Sequence, residues 1–139
     1  MPTHDQLGDR ERNLVLTAQQ RQLEESETIA SGQSVTDWIT SRGCWGVTVD
    51  VPATWTPADL AIEVSDDAAT SLGLIRDDTG EIVRTVINST TPLGRYVVKP
   101  AAAWAAGCGV YFRLVSVNIA SESPVNQSEA RALIVRLAV

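Results

Sequence analysis

Two short runs, residues 45–51 and 60–64, constrain the fold of this 139-residue chain more than any other part of it. Trp45, Val47, Val49 and Val51 alternate with Gly46, Thr48 and Asp50, and Leu60, Ile62 and Val64 alternate with Ala61, Glu63 and Ser65. A period of two is that of a β-strand with one buried face; on a helix the same apolar residues would scatter around the axis. Between the runs lies Pro52-Ala53-Thr54-Trp55-Thr56-Pro57. Its two prolines fix their own backbone angles and remove two donors, so the link reads as a stiffened loop. Two strands joined by that loop are therefore predicted.

The rest of the chain extends the pattern. Small polar residues around Ile29, Val35, Trp38 and Ile39 predict a short strand, a turn at Gly32 and another short strand. Leu72–Ile75 and Ile82–Ile87 read as a hairpin about the turn Arg76–Glu81, with Gly80 supplying a positive φ. Arg95–Lys99 is a strand by its Tyr96, Val97 and Val98, and the alanine-rich stretch Lys99–Gly109 is a single helical turn or an irregular bend. Val110–Val117 is apolar on both faces, which predicts a central strand. Glu129–Val139 closes the chain, with Leu133, Val135, Leu137 and Val139 in alternation. About eight short strands at spacings of roughly 8–12 residues predict an all-β domain, an antiparallel, jelly-roll-like β-sandwich over residues 27–139.

Residues 1–26 have a different character. They are dense in Asp, Glu, Arg and Gln and hold no Trp, Tyr or Phe. Leu7 and Leu14, and Leu16 and Leu23, stand seven apart, but Gly8 interrupts and the apolar stripe is too thin to hold an isolated helix in water. Two readings stay open, a frayed tail or an N-terminal arm that orders on a neighbour. In the second, Leu7, Leu14, Leu16 and Leu23 would bury apolar surface, while Arg10, Arg12 and Arg21 would pair with a partner's carboxylates.

Composition narrows the chemistry. A net charge of −6 and a pI near 4.6 argue against tracking nucleic-acid phosphates. No apolar run approaches the ~20 residues of a membrane-crossing helix, and the start lacks the apolar core of a secretory signal, so the expected site of synthesis is the cytoplasm. Cys44 and Cys108 read as small buried hydrophobes rather than a disulfide. The sole histidine, His4, lies in the polar start, which disfavours both a Ser-His-Asp relay and a zinc site. Asp66-Asp67 and Asp77-Asp78-Thr79-Gly80-Glu81 read as turns rather than calcium ligands. Glu63, Glu81, Asp50 and Asp59 form no carboxylate pair distinguishable from chance. No catalytic, cofactor-binding or metal-binding residue is therefore expected, and the chain does not read as an enzyme. Of the tryptophans, Trp45 lies in phase with Val47 and is expected in the core. Trp55 and Trp104 lie in loops and are the expected partner-binding aromatics. Sugar stacking is the competing use of aromatics on such a scaffold.

A series of short segments, in order, carries a resemblance: Ile29-Ala30-Ser31-Gly32-Gln33-Ser34-Val35, the stretch Pro52 to Leu60, the turn Asp77 to Gly80, an aromatic strand, Pro124-Val125-Asn126-Gln127, and an apolar last strand. From Thr28 onward the chain resembles small β-sandwich structural proteins of tailed bacteriophages; its charged start is longer than theirs. The resemblance implies a non-enzymatic cement or decoration protein on the capsid surface of the virion. Its partners would be the major capsid protein and further copies of itself in a homotrimer, without direct contact to nucleic acid or membrane. The reading from another class is a carbohydrate-binding module or a tail-associated receptor-binding domain.

Overall fold

A computed structural model describes residues 22–98 and 110–139. They contain eight strands: β1 (Gln22–Ile29), β2 (Ile39–Thr40), β3 (Gly46–Val51), β4 (Asp59–Ser65), β5 (Arg84–Thr85), β6 (Gly94–Val97), β7 (Tyr111–Val117) and β8 (Arg131–Ala138). They form two four-stranded sheets, ordered β1-β8-β3-β6 and β2-β7-β4-β5, here sheets A and B. All pairings are antiparallel. The pairings nest: β1 with β8, β2 with β7, β3 with β6, β4 with β5. The second half of the chain thus retraces the first in reverse, as one long hairpin turned between β4 and β5. Wrapping that hairpin brings β8 beside β3 and β7 beside β4, which completes the sheets. The predicted all-β sandwich is the fold found.

The alternation read in the sequence decides which face each strand buries. Val47, Val49 and Val51 of β3 meet Leu133, Val135 and Leu137 of β8 in one core with Leu60, Ile62, Phe112 and Leu114 of sheet B. Each such side chain contributes about 1.5–3 kcal/mol on leaving water. β4 and β7 also bury residues on their outer face. Ala61, Val115 and Val117 lie there under Ile82, with Val35 and Leu74 packed alongside. That second layer explains why the β7 sequence is apolar on both sides.

It also explains a departure. The expected strands Leu72–Ile75 and Ile82–Ile87 appear only as isolated bridges, Glu63 to Leu74 and Arg76 to Ile82, followed by the two-residue β5. The segment spends its apolar side chains covering sheet B instead of extending a ladder. Its turn forms as expected: Asp77 Oδ1 accepts from Thr79 Oγ1 at 2.6 Å, Thr79 N at 2.8 Å and Glu81 N at 3.1 Å, with Gly80 at φ 86°. Asp67 serves its own turn likewise, accepting from Thr70 N, Ala69 N and Ser65 Oγ. These bonds favour the ionised form and hold both carboxyls below their ordinary range.

The boundary expected at residue 26 is corrected. β1 starts at Gln22 and pairs along its whole length with β8, from Gln22 opposite Ala138 to Ile29 opposite Arg131. Among the described residues it is an edge strand; Gln22, Glu24, Ser26 and Thr28 lie on its outer face and are exposed, and that polarity makes it read as tail. Leu23, assigned to a docking arm, instead packs against the sandwich core. The other arm residues singled out, Leu7, Arg10, Arg12, Leu14, Leu16 and Arg21, lie outside the described residues, as do Trp104 and Cys108. Cys44 is buried and free.

Alternation places Glu25 and Glu27 on the same side of β1 as Leu23 and Ile29. Burial, then the nearby charges of Glu25 and Asp37, push the Glu27 carboxyl up to about 7. The folded state therefore holds a proton that the unfolded chain releases near 4.5. Stability should fall as pH rises through that window, because ionised Glu27 is penalised only in the folded state. Glu27→Gln is expected to flatten the dependence and to stabilise by about 1 kcal/mol above neutrality, a figure reduced for solvent screening of a partly exposed group. Thermal melts at about pH 5 and about pH 8 read this directly. A parent and variant that lose stability equally would contradict it.

Candidate functional site

Trp55, expected at an interface, is 7% exposed and belongs to the core. The proline-flanked loop folds its ring inward, and Nε1 donates to the Ala58 carbonyl at 3.1 Å, so no polar group is stranded. Trp45, expected in the core, is 61% exposed. Here the phase of the alternation slips. Arg42 and Gly43 both adopt positive φ, and Cys44 N donates to Ser41 O, a tight turn that delivers Cys44 into the core position. Trp45 then leaves the core before Val47 re-enters it. Trp38 stacks on the Arg113 guanidinium at 4.3 Å, over a bidentate Arg113–Glu63 pair.

Of the other exposed large apolar residues, Leu72, Val110 and Ile119 lie apart in the sequence, while Val86, Leu93 and Val97 lie on or beside β6. Val97 is 58% exposed, and Leu93 and Val86 are each 69% exposed. β6 is the last strand of sheet A. Val98 N donates to Val47 O, so the register turns the backbone groups of Arg95 and Val97 away from β3. Among the described residues no strand pairs with that side. A hollow of about 390 Å³ lined by Asp50, Val51, Leu93, Gly94 and Arg95 lies at this strand, and another of about 320 Å³ brings it together with Arg84, Thr85 and Val86. An open strand edge rimmed by apolar side chains and an arginine is the ordinary make-up of a protein-docking surface. Sequence reasoning missed it. The sequence marks Val97 only as a strand residue, and nothing in the strand pattern distinguishes an edge from a centre when four residues are all it has.

Across the outer face of sheet A runs a ladder of charge. Arg95 Nε donates to Asp50 Oδ1 at 2.8 Å, Arg136 Nη1 donates to Asp50 Oδ2 at 2.6 Å, and Arg136 Nε stands 3.8 Å from Glu24. The hydrogen bond from Arg95, opposed by some desolvation and aided by Arg136, holds the Asp50 carboxyl below its usual value. On the same face, a third hollow of about 290 Å³ spans from β1 across β8 and β3 to β6 and is lined by Gln22, Ala138, Trp45, Gly46, Thr48 and Val97 among others. The carboxylates of Asp59, Glu63 and Asp50 are each tied to an arginine. Glu81 sits exposed beside its turn. Among the described residues no three His, Cys, Asp or Glu side chains converge as a metal site, and no helix is long and apolar enough to cross a membrane. Comparison with protein-family models, with curated proteins and with solved structures finds no match.

Proposed function

We propose that this chain is a structural protein of a tailed-bacteriophage virion, a jelly-roll cement or decoration protein that binds and stabilises the assembled head shell. The observation that supports the architecture in this reading is the nested pairing of β1 with β8, β2 with β7, β3 with β6 and β4 with β5. Eight strands wrapped as one folded hairpin support a jelly roll, an architecture used by viral capsid and lectin domains. The ordered segments from Ile29 to Gln127 supply the phage resemblance, and the role comes from that resemblance rather than from the fold. A shell protein needs a rigid body and a surface that fastens it. The sandwich is the body, and the β6 edge with Val86, Leu93, Arg95 and Val97 is the fastening surface on this reading. The partner is the major capsid protein, the assembly is a homotrimer on a local symmetry axis, and no catalytic step is involved.

The test is location and attachment. Heads assembled without this protein, mixed with the purified chain, are expected to bind it on the capsid lattice in cryo-electron microscopy. A Leu93→Asp, Val97→Asp variant should fold normally, since both side chains are exposed, and should bind at least about tenfold more weakly, as for a truncated interface anchor. Density on the tail, or no binding to heads, would replace this reading with the tail-associated one.

A further inference from the structure

The third hollow owes its existence to two small residues. Gly46 and Ala138 are register partners on the outer face of sheet A, and Gln22 faces the same Ala138 from β1. A Cβ added at Gly46 would meet only the Ala138 Cβ, at 3.9 Å, an ordinary contact, so the floor is low because both residues are small and a larger side chain at Gly46 would rise into the hollow. One row along, Arg136 and Thr48 are partners and Val97 pairs with Thr48. Trp45 stands at the end of the floor, its backbone N donating to Ala138 O at 2.8 Å and its ring largely exposed. The result is a shallow basin with an indole at one end, a methyl-bearing wall at Val97, and a hydroxyl, an amide and a guanidinium around it.

We infer that this basin binds a pyranose ring of a neutral oligosaccharide, stacked on Trp45 and hydrogen-bonded by Thr48, Gln22 and Arg136. Three features select that chemistry. A pyranose presents an apolar C–H face and a rim of hydroxyls, which calls for an aromatic plane beside planar polar groups in a concave site. The two guanidinium groups of the lining, Arg95 and Arg136, are both paired with carboxylates just outside it, Asp50 and Glu24, which leaves no unpaired cation for an acidic ligand. Arg136 is already held at 2.6 Å by Asp50, so its remaining N–H donors are aimed without further ordering. The inference does not depend on where in a virion the protein sits.

The probes are maltohexaose, cellohexaose and fully N-acetylated chitohexaose, all neutral, titrated into the full chain by calorimetry and followed by the indole N–H resonances. At least one is expected to bind with a submillimolar dissociation constant, shifting the Trp45 resonance. Trp45→Ala should weaken it about tenfold or more, since a stacked ring is the main apolar contact. Gly46→Val, which fills the floor, should abolish binding, and Thr48→Val should weaken it severalfold with the fold intact by circular dichroism. No heat and no shift with any of the three sugars overturns the inference. So does binding that survives Trp45→Ala. If no sugar binds while Trp45→Ala weakens attachment to heads, the basin is a protein interface and the sugar reading is wrong.

Discussion

Removing residues 1–26 is expected to cost roughly 3–5 kcal/mol more stability than removing residues 1–21, on a total that is ordinarily about 5–15 kcal/mol. The five residues that differ are the first five rungs of β1, Gln22 to Ser26, which pair with Ala138 to Ile134. Their loss uncovers the β8 edge above Val135 and Leu137, both fully buried. Leu23, packed against the core, contributes about 1–2 kcal/mol of burial, and the lost cross-strand pairs add roughly 0.2–1 kcal/mol each. The shorter chain also loses the Glu24–Arg136 contact, an exposed pair that matters little by comparison. Urea unfolding of the two truncations reads the difference. Equal stabilities would mean that the first half of β1 is decoration on the sheet, and that the boundary at residue 26 was correct.

The same strand shows where the sequence was and was not legible. β3, β4, β7 and β8 were all readable, because each buries at least one complete apolar face and period two survives in the residues themselves. β1 was not. An edge strand with a solvated face needs few apolar residues, and this one also turns Glu25 and Glu27 toward the side that holds Leu23 and Ile29, so its pattern reads as charge. Trp45 and Trp55 exchanged roles for local reasons. Two positive-φ residues at Arg42 and Gly43 shifted the phase ahead of β3, and the proline-flanked loop closed over the core instead of projecting. Neither event leaves a mark in alternation, which reports the faces of a strand and says nothing of loops. The β6 surface was invisible for a third reason. Whether Val97 faces a neighbour or solvent depends on sheet order, and sheet order is a long-range property.

Gln127→Leu is expected to destabilise the fold by about 3–5 kcal/mol, more than its conservative size suggests. Gln127 is 0% exposed, and its amide joins segments far apart in the chain. Oε1 accepts from Thr56 N at 2.8 Å and from Arg131 Nε at 3.3 Å, while Nε2 donates to Ser116 Oγ at 2.9 Å and to Thr56 O at 3.2 Å. Its backbone does the same for the Gly32 turn, accepting from Gly32 N and donating to Gln33 O, both at 2.8 Å. Leucine fills similar space but answers none of the side-chain groups. It leaves Thr56 N–H and C=O, the Ser116 hydroxyl and the Arg131 guanidinium short of a partner, and each buried group so stranded costs about 1–3 kcal/mol. Water re-entering the loop would recover part of that, hence a total below the simple sum. The melting temperature should drop by roughly 10 °C or more. Gln127→Glu is the discriminating control. It keeps both acceptor contacts at Oε1 and sets an acceptor against Thr56 O, so its cost should fall between parent and leucine. Because Trp55 lies one residue before Thr56, the near-ultraviolet circular dichroism of the leucine variant should also change while the strands remain. A leucine variant within about 1 kcal/mol of the parent in urea unfolding would mean that the Val51–Ala58 loop is held by the burial of Trp55 alone, with the amide a bystander.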